Sequence, residues 1–418
     1  MNSFQYRDNE LYCEDVPVAD IAWEVKTPFY LYSWETLKRH FKAFDDSFKG
    51  IEHLTCFSMK SNSNMAVLRL FADEGGGADI VSGGELYRAV RAGIDPKKIV
   101  YSGVGKTIEE LEYAVSSDIL MFNSESEQEL VTLNDVAKRL NKNARVSIRV
   151  NPYVDPQTHP YISTGLKENK FGIDIKKSLE EYKVAAGLGN LAVTGVSCHI
   201  GSQLTKVSPF VDSVRKVKEL TARLKEAGIH IRYLDIGGGL GITYNEEKPP
   251  LPAEYAAAIK EEIGNTDLTL ILEPGRVLVG NACILVAKVL YTKSSGDKNF
   301  IIVDAAMNDL MRPSLYGSFH GIRAVKTMGR KRIKADIVGP ICESGDFLAK
   351  DREVESLVQG DLLAVMSAGA YGFSMSSTYN SRPRVAEVMT KGDSYRVIRK
   401  RETYEDLVKG EEMPDFIG

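Results

Sequence analysis

Residues 119–151 decide the fold class, because a strand, a helix and a second strand follow one another there without interruption. The stretch reads ILMFN (119–123), SESEQELVTLNDVAKRL (124–140), NKNA (141–144) and RVSIRVN (145–151). The first and last pieces are short apolar runs typical of buried strands, and the long second piece spaces its apolar residues as an amphipathic helix does. A strand, a helix and a strand in this order predict a parallel βα unit.

The same alternation extends over residues 50–276. Eight strands are predicted within it, at 53–60, 77–82, 98–103, 119–123, 145–151, 193–200, 231–237 and 268–274. Eight βα units predict an α/β fold with a closed (β/α)8 TIM-like barrel, in which functional groups gather at the carboxyl ends of the strands. A doubly wound open sheet is the alternative.

Beyond residue 276 the sequence changes to β-branched runs separated by Gly and Pro, with little helical spacing. These runs lie at 284–293, 299–304, 361–366 and 384–389. They predict a second, mostly β domain, built as a barrel or a sandwich. We assign residues 28–276 to the barrel and residues 277–418 to the β domain, which residues 1–27 join.

The composition favours small-molecule chemistry. The chain has 418 residues, 43% hydrophobic and 26% charged, with a net charge of −4, which gives no long-range attraction for nucleic acid or an anionic membrane. Its first ten residues lack the profile of a secretory signal, and no stretch approaches the ~18 apolar residues of a membrane span, which predicts a cytoplasmic protein. Five scattered cysteines without a Cys-x-x-Cys pair argue against disulfides and a metal site.

Four predicted strands end in residues that carry chemistry. Lys60 is a candidate Schiff-base nucleophile, although a lysine taken alone is more often a surface residue. His199 could stack on a flat ring, and the three glycines 237–239 could direct their N–H groups at a phosphate, with a simple tight turn or a dinucleotide site as alternatives. Glu273 and Arg276 close the eighth strand. An amine, phosphate donors and a carboxylate beside the ring nitrogen are what pyridoxal 5′-phosphate (PLP) requires.

The second domain and one long loop add further candidates. Arg312 could bind a substrate carboxylate through its forked guanidinium. Cys342 could donate a proton, although a free cysteine is more often a small buried apolar residue. Tyr371, between glycines, is either a phosphate ligand or a packing aromatic. The loop 151–171 is either a lid over the site or a tolerated surface insertion.

At these positions the chain resembles the fold-type III PLP decarboxylases, and among them the diaminopimelate decarboxylase family, from about residue 28 to 388. The resemblance rests on Ser58-Met59-Lys60-Ser61-Asn62, His199-Ile200-Gly201-Ser202-Gln203, the triple glycine, and the segments 273–276, 342–346 and 371–372, in the order and approximate spacing of the family. Ser61 departs from the alanine that is more usual after the lysine, which adds a hydroxyl and leaves the chemistry intact.

The resemblance implies a role for each of these residues. It implies that PLP forms a Schiff base with Lys60 and is surrounded by Lys60, Asp79, His199, Ser202, Gly238, Gly239, Glu273, Gly275, Arg276 and Tyr371. It implies that the substrate contacts Arg276, Arg312, Tyr316, Glu343 and Tyr371, and that Lys60, His199 and Cys342 are catalytic. Glu85 is similar to a second acid near the lysine. Family members are homodimers, in which Cys342 and Glu343 would enter the site of the neighbouring subunit.

The reaction implied is decarboxylation of meso-2,6-diaminopimelate to L-lysine and carbon dioxide, the last step of lysine biosynthesis, with Cα protonated by Cys342 of the partner subunit. Alanine racemase is the weaker interpretation, because racemases of similar fold resemble each other in having arginine at the position that Glu273 occupies in this chain. Decarboxylases of ornithine, arginine, carboxynorspermidine or carrier-bound glutamate are the nearer alternatives. A non-catalytic PLP-binding barrel and a nicotinamide-dependent dehydrogenase are the alternatives from other classes.

Overall fold

The computed structural model describes residues 2–155 and 170–417 of the chain. The interpretation of loop 151–171 as a lid or an insertion therefore falls mostly on residues outside the described part. By contacts between residues the chain divides into two units, Lys38–Leu278 and the combination of Met1–Leu37 with Val279–Gly418. Within the described residues no helix has the length and apolar character that crossing a bilayer needs.

The chain begins with six short elements. They are β1 (Phe4–Arg7), β2 (Glu10–Cys13), β3 (Val16–Pro17), α1 (Val18–Val25), β4 (Phe29–Ser33) and α2 (Trp34–Asp45). Strands β1, β2 and β3 form a small antiparallel sheet. All five residues of β4 are buried, as expected of a strand that lies in the interior of a sheet.

The described residues of the unit Lys38–Leu278 form nine parallel strands. They are β5 (His53–Ser58), β6 (Gly77–Ile80), β7 (Ile99–Tyr101), β8 (Met121–Ser124), β9 (Ala144–Asn151), β10 (Ile173–Asp174), β11 (Leu191–Ser197), β12 (Tyr233–Asp235) and β13 (Thr269–Leu272). Strand β13 pairs with β5, and β8 pairs with β9, so eight of the strands form a closed ring and β10 is added beside β9. The predicted (β/α)8 barrel is confirmed, and the open-sheet alternative is wrong because both edges are paired.

Eight helices accompany these strands. They are α3 (Met65–Asp73), α4 (Gly83–Arg91), α5 (Ile108–Ser116), α6 (Glu127–Arg139), α7 (Ser178–Gly187), α8 (Ser208–Glu226), α9 (Pro252–Ile263) and α10 (Arg276–Val279). Four of them begin at a side chain that accepts a hydrogen bond from the first turn: Asn64, Ser82, Thr107 and Ser126. Each such cap stabilises its helix by about 1 kcal/mol, and it also fixes the point at which each βα loop ends.

Six of the eight barrel strands end earlier than the sequence predicts, whereas β8 ends one residue later and β9 ends at the predicted residue. Strand β5 ends at Ser58, and Lys60 lies in a single 3-10 turn, Met59–Ser61. His199 and Glu273 likewise follow β11 and β13 instead of ending them. The apolar pattern continues past the last ladder pair, so it cannot mark the residue at which the backbone leaves the sheet. The candidate residues therefore lie on the first turns of the βα loops.

The second unit is rich in sheet. After the barrel come β14 (Cys283–Ser295), β15 (Lys298–Val303), α11 (Arg312–Tyr316), β16 (Ile322–Ala324), β17 (Arg332–Val338), β18 (Phe347–Glu355), β19 (Leu362–Val365), β20 (Ala386–Lys391), β21 (Ser394–Arg399) and α12 (Tyr404–Leu407). The main path runs β18-β17-β15-β14-β4-β20-β21, and β19 and β16 branch from β14. The predicted mostly β domain is confirmed. Strand β4 lies between β14 and β20, so this part of the chain, which precedes the barrel in sequence, supplies an interior strand of the second sheet.

Candidate active site

Buried polar side chains lie inside the barrel, toward the carboxyl ends of its strands. Each of the eight closed strands, or the residue directly after it, contributes one buried member: Ser58, Asp79, Ser102, Asn123, Ser147, Ser197, Asp235 and Glu273. We call this set the polar ring. Buried polar groups are stable only when they are hydrogen-bonded, so the ring must be satisfied by its own members or by a ligand.

Lys60 joins the polar ring through Asp79. Its Nζ donates to Asp79 Oδ2 over 2.8 Å, and Ser58 Oγ donates to the same oxygen over 2.7 Å. The Asp79 side chain is fully buried, whereas 40% of the Lys60 side chain is exposed. The other oxygen, Asp79 Oδ1, is buried without a hydrogen-bond partner among the described residues. The pair thus places an amine at the cavity wall beside a buried negative charge.

Two further acids, Asp235 and Glu273, lie at the carboxyl ends of the neighbouring strands β12 and β13. Asn123 Nδ2 donates to Asp235 Oδ2 over 2.8 Å and lies 3.4 Å from Glu273 Oε1. The N–H of Gly237 donates to Asp235 Oδ1 over 2.9 Å. Burial raises the pKa of Asp235 to about 6, while burial and the neighbouring charges of Asp235 and Asp79 raise the pKa of Glu273 well above its usual range. Two carboxyls this close share a proton near neutral pH.

His199 is held as a neutral ring. The backbone N–H of Gly238 donates to His199 Nδ1 over 3.2 Å, so the proton of the imidazole sits on Nε2. Burial, and then the positive charges of Arg149 and Lys60, lower the pKa of His199 well below its usual range. A neutral imidazole that faces the cavity can stack on a flat ring without adding charge.

The triple glycine is required by neighbouring backbone. A Cβ on Gly238 would lie 2.0 Å from the carbonyl oxygen of Glu273, and a Cβ on Gly239, whose φ is +114°, would lie 2.3 Å from that of Gly201. The N–H groups of Gly237 and Gly238 are already bonded to Asp235 and His199. Among the described residues, the N–H of Gly239 has no protein acceptor, so it is the member of the run that remains available to an anion.

Arg276 opens α10 and is buried. Its Nη1 donates to Tyr244 Oη over 2.7 Å and its Nη2 donates to Ser202 Oγ over 3.1 Å. Gly275 precedes it, and a Cβ there would crowd Ser58 and Ser61 at 3.1 Å. The structure therefore brings Ser202 and Arg276 into direct contact, as a cationic and hydroxyl donor pair of the kind that binds phosphate or carboxylate.

A cavity of about 330 Å³ opens onto these groups. Its lining is Lys60, Val81, Ser102, Gly103, Val104, Asn123, Arg149, Phe171, Ser197, Cys198, His199, Asp235 and Glu273. Asp79, Asp235 and Glu273 supply three buried carboxyls beside the single ammonium of Lys60, so the site has more acid than the amine can balance. A cationic ring nitrogen would offset that excess, and the Lys60 amine would bind an aldehyde. The residues present therefore fit PLP.

One side of the cavity is formed by Arg149, for which the sequence predicts no role. Arg149, on β9, donates from Nη1 to Glu125 Oε1 over 2.9 Å, and Glu125 Oε2 accepts the N–H of Gly172 over 2.7 Å. The Arg149 guanidinium lies 4.8 Å from the ring centroid of Phe171. This buried ion pair anchors the residues that follow the undescribed segment 156–169 to the barrel.

Sequence reasoning found some members of the site and overlooked others. The sequence predicts no role for Asp235, Asn123, Ser102, Ser147, Ser197 or Arg149. A usable signal existed for Asn123, because it is the polar last residue of a predicted barrel strand. The serines carry no such signal, since a small polar residue in a strand is common and its partner lies on another strand.

The remaining candidates lie in the sheet-rich unit. Arg312 begins α11 and is buried, with Nη1 bonded to His320 Nε2 over 3.1 Å and Nη2 to Ser318 Oγ over 3.2 Å. Tyr316 ends the same helix. Ser314, between them, donates to the carbonyl oxygen of Gly345 over 2.6 Å. Helix α11 is thereby tied to the turn that carries Cys342 and Glu343.

That turn is exposed at its tip. The Cys342 side chain is a free, exposed thiol, and its N–H donates to Asn380 Oδ1 over 2.8 Å. Glu343 Oε1 accepts the N–H of Gly345 over 3.2 Å. The alternative of a buried, apolar Cys342 is wrong. Tyr371 has a φ of +56° and is followed by Gly372, where a Cβ would lie 2.3 Å from the carbonyl oxygen of Ala368.

Comparison with known families agrees with this chemistry. Residues 34–280 match the family model described as "Pyridoxal-dependent decarboxylase, pyridoxal binding domain". The chain is 52% identical to the diaminopimelate decarboxylase of Aquifex aeolicus over 97% of its own length and 96% of the relative's. It is 51% identical to that of Haemophilus influenzae over 97% of this chain and 98% of the relative.

Solved structures show the same likeness in three dimensions. The diaminopimelate decarboxylase of M. jannaschii, in co-complex with L-lysine, superposes with a TM-score of 0.95 at 39% identity, covering 99% of this chain and 98% of that one. The enzyme of Helicobacter pylori complexed with L-lysine gives a TM-score of 0.91 at 45% identity, covering 94% of this chain and 98% of the other.

Proposed function

Since the chain belongs to the diaminopimelate decarboxylases, a family of PLP-dependent carboxy-lyases, we propose that it converts meso-2,6-diaminopimelate to L-lysine and carbon dioxide with PLP bound to Lys60. The observation that carries the proposal is the Lys60–Asp79 pair, 2.8 Å long, in one cavity with His199 and Glu273. These four side chains come from four different strand ends. An ion pair with a purely structural role would not require His199 and Glu273 beside it.

The residues of the barrel would hold the cofactor at both of its ends. Lys60 would hold its aldehyde carbon, and Glu273 would face its ring nitrogen. Gly239, Arg276 and Ser202 would bind its phosphate, because the first offers an uncommitted N–H and the other two form a donor pair. Bound PLP supplies an electron sink for the bond between Cα and its carboxylate. Gly238 supports the site through its bond to His199.

The charged groups around Lys60 determine how readily its amine loses a proton. Asp79 keeps the amine at the cavity wall as an ammonium ion, and its second oxygen, Oδ1, can take up a further hydrogen bond. Lys60 must give up a proton before it can act as a nucleophile. Glu85 lies nearby: burial raises its pKa to about 7, and the charge of Lys60 opposes that rise. Glu85 is therefore a group that can exchange protons near neutral pH.

Substrate recognition would use the sheet-rich unit. In the proposed homodimer, Cys342 of one subunit would protonate Cα in the site of its partner, and Glu343 would bind the distal ammonium. Arg276, Arg312, Tyr316 and Tyr371 would bind the distal carboxylate and the phosphate. Support comes from the exposure of the Cys342 thiol and from the tie between α11 and the turn that carries Cys342. An exposed turn can reach a second subunit without rearrangement of its own fold.

The reaction is tested with purified, full-length protein supplied with PLP. We expect carbon dioxide and L-lysine in equal amounts from meso-2,6-diaminopimelate. Ornithine and arginine should turn over at least 100-fold more slowly, because both lack the distal carboxylate that Arg312 would bind. Carbon dioxide from ornithine or arginine, with none from diaminopimelate, contradicts the substrate assignment.

The cofactor is tested by absorbance. The wild-type protein should show the visible band of a Schiff base, and Lys60→Ala should lose it. Lys97→Ala is the matched control, since Lys97 forms an ion pair with Asp118 that is exposed and lies outside the cavity. A wild-type protein that shows no band after PLP is added would overturn the proposal, and so would a band that persists in Lys60→Ala.

A further inference from the structure

We infer that Asn123 is a positioning residue, which holds the negative charge of the Asp235–Glu273 pair on Asp235 and so leaves the shared proton on Glu273. This inference rests on the proposed function, because it concerns the acid that would face the ring nitrogen of PLP. Asn123 belongs to none of the motifs on which the family resemblance rests. It lies at the end of β8, between two acids from β12 and β13.

The hydrogen bonds around the pair are unequal. Asp235 accepts two short bonds, from Asn123 Nδ2 over 2.8 Å and from the N–H of Gly237 over 2.9 Å. Among the described residues, the donors to Glu273 Oε1 are more distant, at 3.4 Å for Asn123 Nδ2 and 3.4 Å for Ser102 Oγ. Hydrogen bonds donated to a carboxyl favour its charged form. The negative charge therefore belongs on Asp235, and the shared proton belongs on Glu273.

The amide of Asn123 is held in one orientation. Ser147 Oγ lies 2.5 Å from Asn123 Oδ1 and 3.0 Å from Ser197 Oγ, on the side away from the two acids. On the other side, Asn123 Nδ2 also donates to Ser102 Oγ over 3.1 Å. A flipped amide would direct its oxygen at Asp235 and lose both donors, which costs more than one hydrogen bond. Asn123 thus presents only N–H groups to the acids.

The surroundings keep the pair from losing its last proton. The charged and titratable groups around it are Lys60, Asp79, Cys56, Cys198, His199, Arg149 and Tyr255. Asp79 is a third buried acid, and its charge raises the pKa of both members of the pair. The charge of Lys60 opposes this rise at Glu273, and its Nζ is bonded to Asp79. Full ionisation of all three acids beside one ammonium is therefore unfavourable.

The arrangement has a consequence for cofactor binding. Glu273 presents a proton to the cavity, so a basic ring nitrogen can receive it without proton exchange with solvent. Before the transfer the pair carries one negative charge, and afterwards it carries two beside one new positive charge. Total charge is unchanged, and the short bonds from Asn123 and Gly237 remain on Asp235 throughout. Asn123 thus sets which acid carries the proton.

The test is an infrared titration of the full-length protein without cofactor, which follows the C=O band of protonated carboxyls against pH. In the wild type we expect a buried-carboxyl band at pH 8 that disappears in Glu273→Gln. Of the bands that grow on acidification, the one with a midpoint near pH 6 should be missing in Asp235→Asn, whereas the band of Glu85, whose pKa is about 7, should remain. An undiminished band at pH 8 in Glu273→Gln overturns the inference.

Asn123→Leu removes the amide donor and keeps the same branching of the side chain. Without its 2.8 Å bond, the charged form of Asp235 is less stable, so the titration step near pH 6 should move upward by about one pH unit or more. Asn134→Leu is the matched control, because the Asn134 amide contacts Asn190 and Asp135 outside the cavity and should leave the step unchanged. Asn123→Ser retains a smaller donor and should give a smaller upward shift.

Asn123→Ser also keeps the test decisive if Asn123→Leu fails to fold. An unchanged titration step in a folded variant of either kind overturns the role of Asn123. The infrared bands need neither PLP nor turnover. A protein that releases no carbon dioxide from diaminopimelate but shifts its carboxyl titration in Asn123→Leu would contradict the proposed reaction and leave the positioning role intact.

Discussion

The ammonium of Lys60 lies 2.8 Å from the buried carboxylate of Asp79, and Ser58 donates to the same carboxylate oxygen over 2.7 Å. Lysine and aspartate come from neighbouring strand ends, so the contact exists only because β5 and β6 are paired in parallel register. The pair fixes where the amine points before any ligand arrives.

Asp79→Asn should lower kcat/KM at least tenfold, because the Lys60 ammonium loses its buried counter-charge, an interaction worth about 1.5–3 kcal/mol. Ser58→Ala is the matched control: it removes a neutral donor to the same oxygen and keeps the charge, so we expect less than about a threefold loss. Steady-state decarboxylation kinetics measure both. Equal losses in the two variants would show that the charge of Asp79 has no special part.

Gly239→Ala should destabilise the barrel by about 2–4 kcal/mol, since the new Cβ would lie 2.3 Å from the Gly201 carbonyl oxygen at a positive φ. Gly228→Ala separates the two causes, because Gly228 also has a positive φ, of +78°, with nothing within 4 Å of its Cβ position. That variant should lose only about 1–2 kcal/mol. Urea unfolding measures both. Equal losses would mean that backbone strain alone, and not close approach, requires glycine at 239.

Cys342→Ala should keep the visible absorbance of bound PLP and lose at least 100-fold in kcat, because a proton donor contributes about that much. Cys342 lies outside the polar ring and is exposed, so its loss should not disturb cofactor binding. Absorbance and carbon dioxide release are measured on one preparation. We expect the visible band to remain and the release of carbon dioxide to fall. Unchanged turnover would show that Cys342 has no part in the mechanism. Cys13→Ala is the control, because it removes a buried thiol of the same unit.

Glu85 should make the cofactor-free protein less stable as pH rises. Burial raises its folded pKa from 4.5 to about 7, so its contribution to stability is fully present below pH ~4.5 and is lost as pH rises through 7. In the wild type the N–H of Val81 donates to Glu85 Oε2 over 2.8 Å. Glu85→Gln keeps an oxygen that can accept this bond and removes the ionisable group. Relative to wild type, the variant should gain roughly 1–3 kcal/mol in unfolding free energy between pH 5 and pH 8. A gain in the opposite direction would contradict the raised pKa.

Much of the fold was predictable because periodicity is a local property. Each barrel strand is a short apolar run, and the intervening helices carry their own spacing and their own capping residues, such as Thr107 and Ser126. Strand ends were less predictable, as Lys60 shows, because apolar residues continue beyond the last pair in the ladder. The place of β4 in the second sheet was not predictable, because its partners β14 and β20 lie about 250 and 350 residues further along the chain.

The (β/α)8 barrel, the sheet-rich second domain and the motif around Lys60 follow from residue order, because each depends on local patterns and short peptides. Only the tertiary structure decided that Asn123 lies between Asp235 and Glu273, that Gly238 holds His199 neutral, and that Arg149 closes one side of the cavity. Hydrogen bonds and shared protons depend on distances of a few ångströms between side chains from different strands, and residue order along a chain does not contain those distances.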